Sequence, residues 1–155
     1  MPQPKIEPTS YAGWPNCYRL SDGETELIVT TDVGPRVMRY GFVGGQNLFV
    51  EIEDQLGKSG ESCWAMRGGH RLWVAPEVMP DTYALDNGPV KATILDGTIS
   101  LLQPVEPETG LQKQMVLAYD PSGVAVTHRI ANGGKQSRRL APSRDFRRPR
   151  RTSRR

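Results

Sequence analysis

Two cysteines and no uninterrupted apolar run of 18 residues set the first limits on this 155-residue chain. Without such a run a membrane-spanning helix is not expected. The opening Met1-Pro2-Gln3-Pro4-Lys5-Ile6-Glu7-Pro8 has no apolar core of a secretory leader, so a cytoplasmic protein with reduced thiols is expected. Cys17 and Cys63 are too far apart for metal-ligand spacing, and no Cys/His cluster suits zinc, so no metal site is expected. Gly44-Gly45 and Gly68-Gly69 lack the spacing of phosphate-binding loops, and Gly-x-Ser-x-Gly is missing, so no cofactor is expected. Hydrophobic residues make up 37%, against 16 glycines and 13 prolines. That balance disfavours a helical bundle and suits many short strands with tight connections.

The net charge of +3 hides two opposed halves. Residues 135–155 carry Lys135 and nine arginines against Asp145, a local +9, which leaves ten bases and sixteen acids, −6, in residues 1–134. Near Asn132-Gly133-Gly134 the text changes from alternating apolar residues to Arg, Ser and Pro. A segment so poor in apolar residues cannot bury enough surface to fold alone. It reads as a basic arm touching acidic partners or, non-specifically, nucleic acid; as a neutral disordered extension; or as out-of-frame translation.

Strand signals fill the rest. Residues 1–10 read as a flexible arm, and the aromatic stretch Tyr11–Leu20 as packed down. Strands are expected over Thr25–Thr31, Arg36–Val43, Leu48–Ile52, His70–Val74, Val90–Leu95, Thr98–Leu102, Leu111–Tyr119 and Val124–Ile130. Within the second, Met38, Tyr40 and Phe42 fall on one face. Asp96-Gly97 is a two-residue hairpin signal. Pro76–Pro89, with three prolines, reads as a long surface excursion. No helix is expected. The fold class is all-β, an antiparallel β-sandwich over residues 11–134 with a disordered basic C-terminal tail.

The densest stretch is Arg67-Gly68-Gly69-His70-Arg71-Leu72-Trp73-Val74-Ala75-Pro76-Glu77. Alternation puts His70, Leu72 and Val74 on one face of a strand and Arg71 and Trp73 on the other. A polar concave site belongs here. A glycine turn feeding a buried strand with one satisfied histidine would give the same string. His128, in phase with Val124, Val126 and Ile130, reads as a core or supporting histidine.

Five stretches resemble bacterial proteins of the galactose mutarotase-like superfamily, in a branch known only as a domain of unknown function. They are Tyr11–Leu20 with Val29–Val37, Gly41–Asn47, Gly68–Trp73, and Gln103–Pro107 with Gly110, Gln112 and Lys113. The resemblance covers about residues 10–134. It implies the N-terminal half of a large antiparallel supersandwich that binds carbohydrate on a concave sheet face, with a parent type that is an aldose 1-epimerase-like isomerase. Such enzymes pair a histidine acid with a glutamate base. Here the region expected to supply the glutamate is missing, so the resemblance implies a truncated, inactive chain. His70 is the candidate general acid, since an unperturbed imidazole has a pKa of about 6.5. Arg67 and Arg71 would hold sugar hydroxyls, Trp64 or Trp73 would stack on a pyranose, and Glu77 would orient His70 or accept from a hydroxyl. The partner implied is an unidentified sugar, and a half sandwich would self-associate through open sheet edges. The alternative is a non-catalytic interaction domain whose basic tail makes the contacts.

Overall fold

The computed structural model describes residues 4–120, 123–135 and 137–144. Among the described residues, ten strands form two antiparallel sheets. They are β1 Lys5–Tyr11, β2 Trp14–Ser21, β3 Thr25–Thr30, β4 Arg36–Phe42, β5 His70–Ala75, β6 Lys91–Leu95, β7 Thr98–Leu102, β8 Leu111–Asp120, β9 Gly123–Asn132 and β10 Ala141–Arg144. One sheet runs β1-β2-β3-β4-β5-β10 and the other β6-β7-β8-β9. The only helical turns among the described residues are three-residue 3-10 turns at Glu53–Gln55 and Asp81–Tyr83. The fold is the expected antiparallel β-sandwich.

The main core lies between the sheets. Leu20, Leu27, Val29, Val37 and Leu72 from the first meet Ile99, Leu101, Met115 and Leu117 from the second. Removing each such side chain from water stabilises the fold by about 1.5–3 kcal/mol. A second cluster of Trp14, Cys17, Ile28, Val33 and Met38 covers the other face of the first sheet. The hairpin at Asp96-Gly97 forms as expected, with φ of 48° and 72°, the left-handed pair that a two-residue turn between twisted strands needs.

Four expectations are corrected. Residues 5–11 are not a loose arm: they pair with β2 from Lys5↔Ser21 to Tyr11↔Trp14. The strand is at a sheet edge, so Pro8 removes no ladder bond that the sheet requires. Its turn runs through Ala12 at φ 49° and Gly13 at φ 94°, and alanine there hides the hairpin from turn statistics. Leu48–Ile52 is not a strand; Glu51 makes one isolated bridge to Gly68. Met38, Tyr40 and Phe42 do not share a face. The β3–β4 register shifts, with Ile28 opposite Arg39 but Val29 opposite Val37, so Met38 is an extra residue. Such a bulge inverts the alternation. Met38 therefore packs with Trp14, while Tyr40 packs with the inter-sheet core.

The fourth concerns the tail. Ala141–Arg144 is a strand, aligned from Ala141↔Ala75 to Arg144↔Leu72. Backbone hydrogen bonds to an edge strand need no apolar side chain, so poor composition does not prevent pairing. Residues 145–155, which hold most of the basic charge expected to reach nucleic acid, lie outside the described residues. The end strands β1, β6, β9 and β10 each pair on one side among the described residues. Cys17 and Cys63 are free thiols, the first buried.

Candidate functional site

The glycine pair sets β5 in place. Gly68 has φ 88°, and a β-carbon there would lie 2.0 Å from the Val50 carbonyl oxygen; Gly69 has φ 72°, and its β-carbon would lie 2.4 Å from that of Val37. Only glycine fits both positions. Arg36 pins the turn, donating from Nη1 to the carbonyls of Met66 at 2.7 Å and Gly68 at 2.5 Å, while its Nη2 bonds Asp86 at 2.9 Å. Burial pushes the Asp86 carboxyl up, but the charges of Arg36 and Arg71 outweigh it and hold the group below its ordinary value.

Arg67, expected as a sugar ligand, is committed to the protein. Its wholly buried guanidinium donates to the carbonyls of Gln55 and Lys58, to Glu61 at 2.6 and 3.0 Å, and to Asn87 at 2.9 Å. Asn87 in turn donates to the carbonyls of Glu61 and Cys63. Together they fasten the loop after the 3-10 turn Glu53–Gln55 to the run before β6. The paired guanidinium holds the Glu61 carboxyl below its usual range.

From this anchor β5 sends its side chains to opposite faces. His70 points towards the second sheet, where its Nε2 lies 3.0 Å from Nε2 of His128, and Phe49 stacks on it with ring centroids 6.3 Å apart. His128 stands opposite Met115 in the β8–β9 ladder. The two histidines, 58 positions apart, can share one N–H···N hydrogen bond. Val124, Val126 and Ile130, predicted to share the face of His128, pack on the inter-sheet core.

The opposite face gathers the remaining candidates. The Arg71 guanidinium lies 4.0 Å from the Trp73 ring centroid and 5.0 Å from that of Trp64, within cation–π range of both. Trp64, Trp73 and Tyr83 form a triangle with edge-on contacts at 6.0, 5.5 and 6.1 Å. The Tyr83 hydroxyl donates to Glu77, and that bond raises the Tyr83 pKa. The indole nitrogens of Trp64 and Trp73 donate to no described residue. Trp64, Arg71, Trp73 and Glu77 thus come together; His70 and His128 form a separate pair, and Arg67 belongs to neither. Sequence reasoning does not find Tyr83, Asp86 and Asn87. Their one signal is that an irregular, proline-rich segment carries an aromatic and two residues that commonly bond backbone groups.

Among the described residues no group of three His, Cys, Asp or Glu side chains could hold a metal ion, and no helix is long and apolar enough to cross a membrane. Fold and site define a class, a two-sheet antiparallel β-sandwich with an arginine clasped by aromatic rings on one outer face. No protein-family model, curated protein or solved structure matches the chain.

Proposed function

We propose that this domain binds carbohydrate on the outer face of β5 and does not turn it over. The observation that supports the reading is the cluster of Trp64, Arg71, Trp73 and Glu77, completed by Tyr83. Aromatic faces cover the C–H side of a pyranose, while the exposed Glu77 carboxylate suits its hydroxyls. Epimerase chemistry requires an acid and a base about one anomeric carbon. The candidate acid His70 lies across the strand from this cluster, so one sugar cannot touch both. Binding without anomerisation follows, whatever the parent type catalyses.

Titration with a panel of monosaccharides, followed by tryptophan fluorescence, tests the reading. Saturable quenching is expected, weakened about tenfold or more, about 1.4 kcal/mol, by Trp73→Ala and unchanged by His70→Asn. No saturable response to any sugar, or equal loss in both variants, would overturn it. Acceleration of glucose or galactose anomerisation by the chain would overturn the non-catalytic part.

One arrangement favours the interaction reading instead. Arg138 bonds Asp81 beside the cluster, and β10 adds to the β5 edge. The basic segment therefore has an acidic contact within its own chain. If sugars fail, this contact defines the kind of acidic surface to try next.

A further inference from the structure

Of the four strands that end the two sheets, β9 is built differently. β1 carries Pro8 and a register shift between Thr9 and Tyr11. β10 has four residues, one of them Pro142, and β6 has five, beginning at Lys91. Proline, irregularity, lysine and shortness are the devices by which edge strands avoid further pairing. β9 runs ten residues, Gly123–Asn132, without proline, and its register with β8 holds unbroken from Asp120↔Gly123 to Leu111↔Asn132. It therefore presents an unblocked edge of about 34 Å.

The core stops short along the same edge. Leu111, Met115 and Leu117 of β8 are wholly buried, whereas the inward row of β9, Val124, Val126, His128 and Ile130, is only half-buried. Every second residue of an edge strand also turns its N–H and C=O away from its neighbour. Among the described residues β9 pairs with β8 alone. One further antiparallel strand with an apolar inward row would take up those backbone groups and extend the core.

β9 itself has the character of that strand. Set against a second copy about a two-fold axis through Thr127, residues 123–131 overlap end to end, with Gly123 opposite Ala131. Val124 then stands opposite Ile130 and Val126 opposite His128, so the half-buried rows continue across the junction. Arg129 falls opposite Ala125. The Arg129 positions of the two copies are four residues, about 14 Å, apart along the strand, beyond the screening length of about 10 Å at 0.1 M salt. The chain's own end suits the place less well. Residues 145–155 hold Pro149 and six arginines, three in each alternate row, so either face laid on β9 would set arginines against its apolar row.

We propose that β9 pairs antiparallel with β9 of a second copy, joining two four-stranded sheets into one continuous sheet. The pairing uses the second sheet and does not depend on the β5 reading. The test is sedimentation of the full chain over a concentration series, with hydrogen exchange of the β9 amides measured at both ends of that series. A shift from 17.2 kDa to twice that mass is expected as concentration rises, with exchange slowed in β9 and not in β6. Ala125→Lys combined with Thr127→Lys sets like charges opposite each other and opposite Arg129 on the outer side of β9. It should weaken the dimer about tenfold or more and keep the melting temperature of the dilute monomer. If the double variant does not fold, Thr127→Lys alone, at the axis, replaces it. Thr93→Lys on β6 should leave the dimer unchanged. A monomer throughout the series would overturn the proposal. So would a dimer that the β9 variant leaves intact or that the β6 variant weakens equally. Protection of β9 that does not change with concentration would place a segment of the same chain on it and overturn the proposal as well.

Discussion

The two sheets treat their outer faces differently. The middle of the first is buried on both sides: β3 is buried at five of six positions, with Leu27 and Val29 turned inward and Ile28 outward into the Trp14 cluster. The second is covered on one side, so β8 alternates buried and half-buried positions from Leu111 to Ala118, and β6 is largely exposed. Where the sheet is covered twice its buried cations are held by a carboxylate, as in Arg36–Asp86 and Arg67–Glu61 at its end, or by aromatic rings, as in Arg71. The second sheet keeps its one interior cation, Lys113, beside Glu106 at the rim. Cover, more than strand composition, decides where polar chemistry sits.

The largest effect expected is at the doubly covered end. Arg67→Met should destabilise the fold by about 3–5 kcal/mol in urea unfolding, because Asn87 and two carbonyls lose a donor and Glu61 loses its counter-charge. A loss below about 1 kcal/mol would mean that the pair is not built into the sheet. Next, Ile28→Ala should cost about 2–4 kcal/mol, as for any enclosed core side chain, while Val116→Ala on the uncovered face of β8 should cost under about 1 kcal/mol. Equal losses would erase the distinction between the sheets.

Smaller effects come from pH. Glu26 is buried, which pushes its carboxyl up, but bonds from Arg19 and Arg39 bring it below its ordinary value; Asp86 and Glu61 are lowered as well. Each binds protons less readily folded than unfolded. Their stabilisation is present above the unfolded carboxyl values, about pH 4–5, and is lost as pH falls through the folded values. Tyr11 moves oppositely, pushed up to about 12 by burial and by its bond to Glu51. Its contribution is present below about pH 10 and is lost as pH rises towards the folded value. Melting temperatures across the acid limb should fall less steeply in Glu26→Gln; an unchanged slope would remove Glu26 from the account.

How much was legible follows from the same contrast. In the second sheet strand limits are right within one or two residues, because one covered face writes plain alternation into β7 and β8. In the first sheet the signal fails where a neighbour supplies what composition lacks. Lys5–Tyr11 and Ala141–Arg144 are held by ladder bonds to β2 and β5. The bulge at Met38 is a register property of two strands, invisible in either one. For the site, the period of two along β5 is enough to separate His70 from Arg71 and Trp73. It does not reveal that Tyr83 closes the aromatic triangle, or that Arg67 is spent on Glu61 and Asn87.

The sequence by itself determined the all-β class, the Asp96-Gly97 hairpin, the strands of the second sheet and the two faces of β5. These depend on local φ preferences and on a period of two, which are carried within a few residues. The tertiary structure alone decided that His70 meets His128, that Arg71 lies between two indoles, and that Asp86 and Gln103 share one proline-walled cavity. The histidines are 58 positions apart, and all three meetings are fixed by how the two sheets stack and by how the loops between the strands run, which no local period carries.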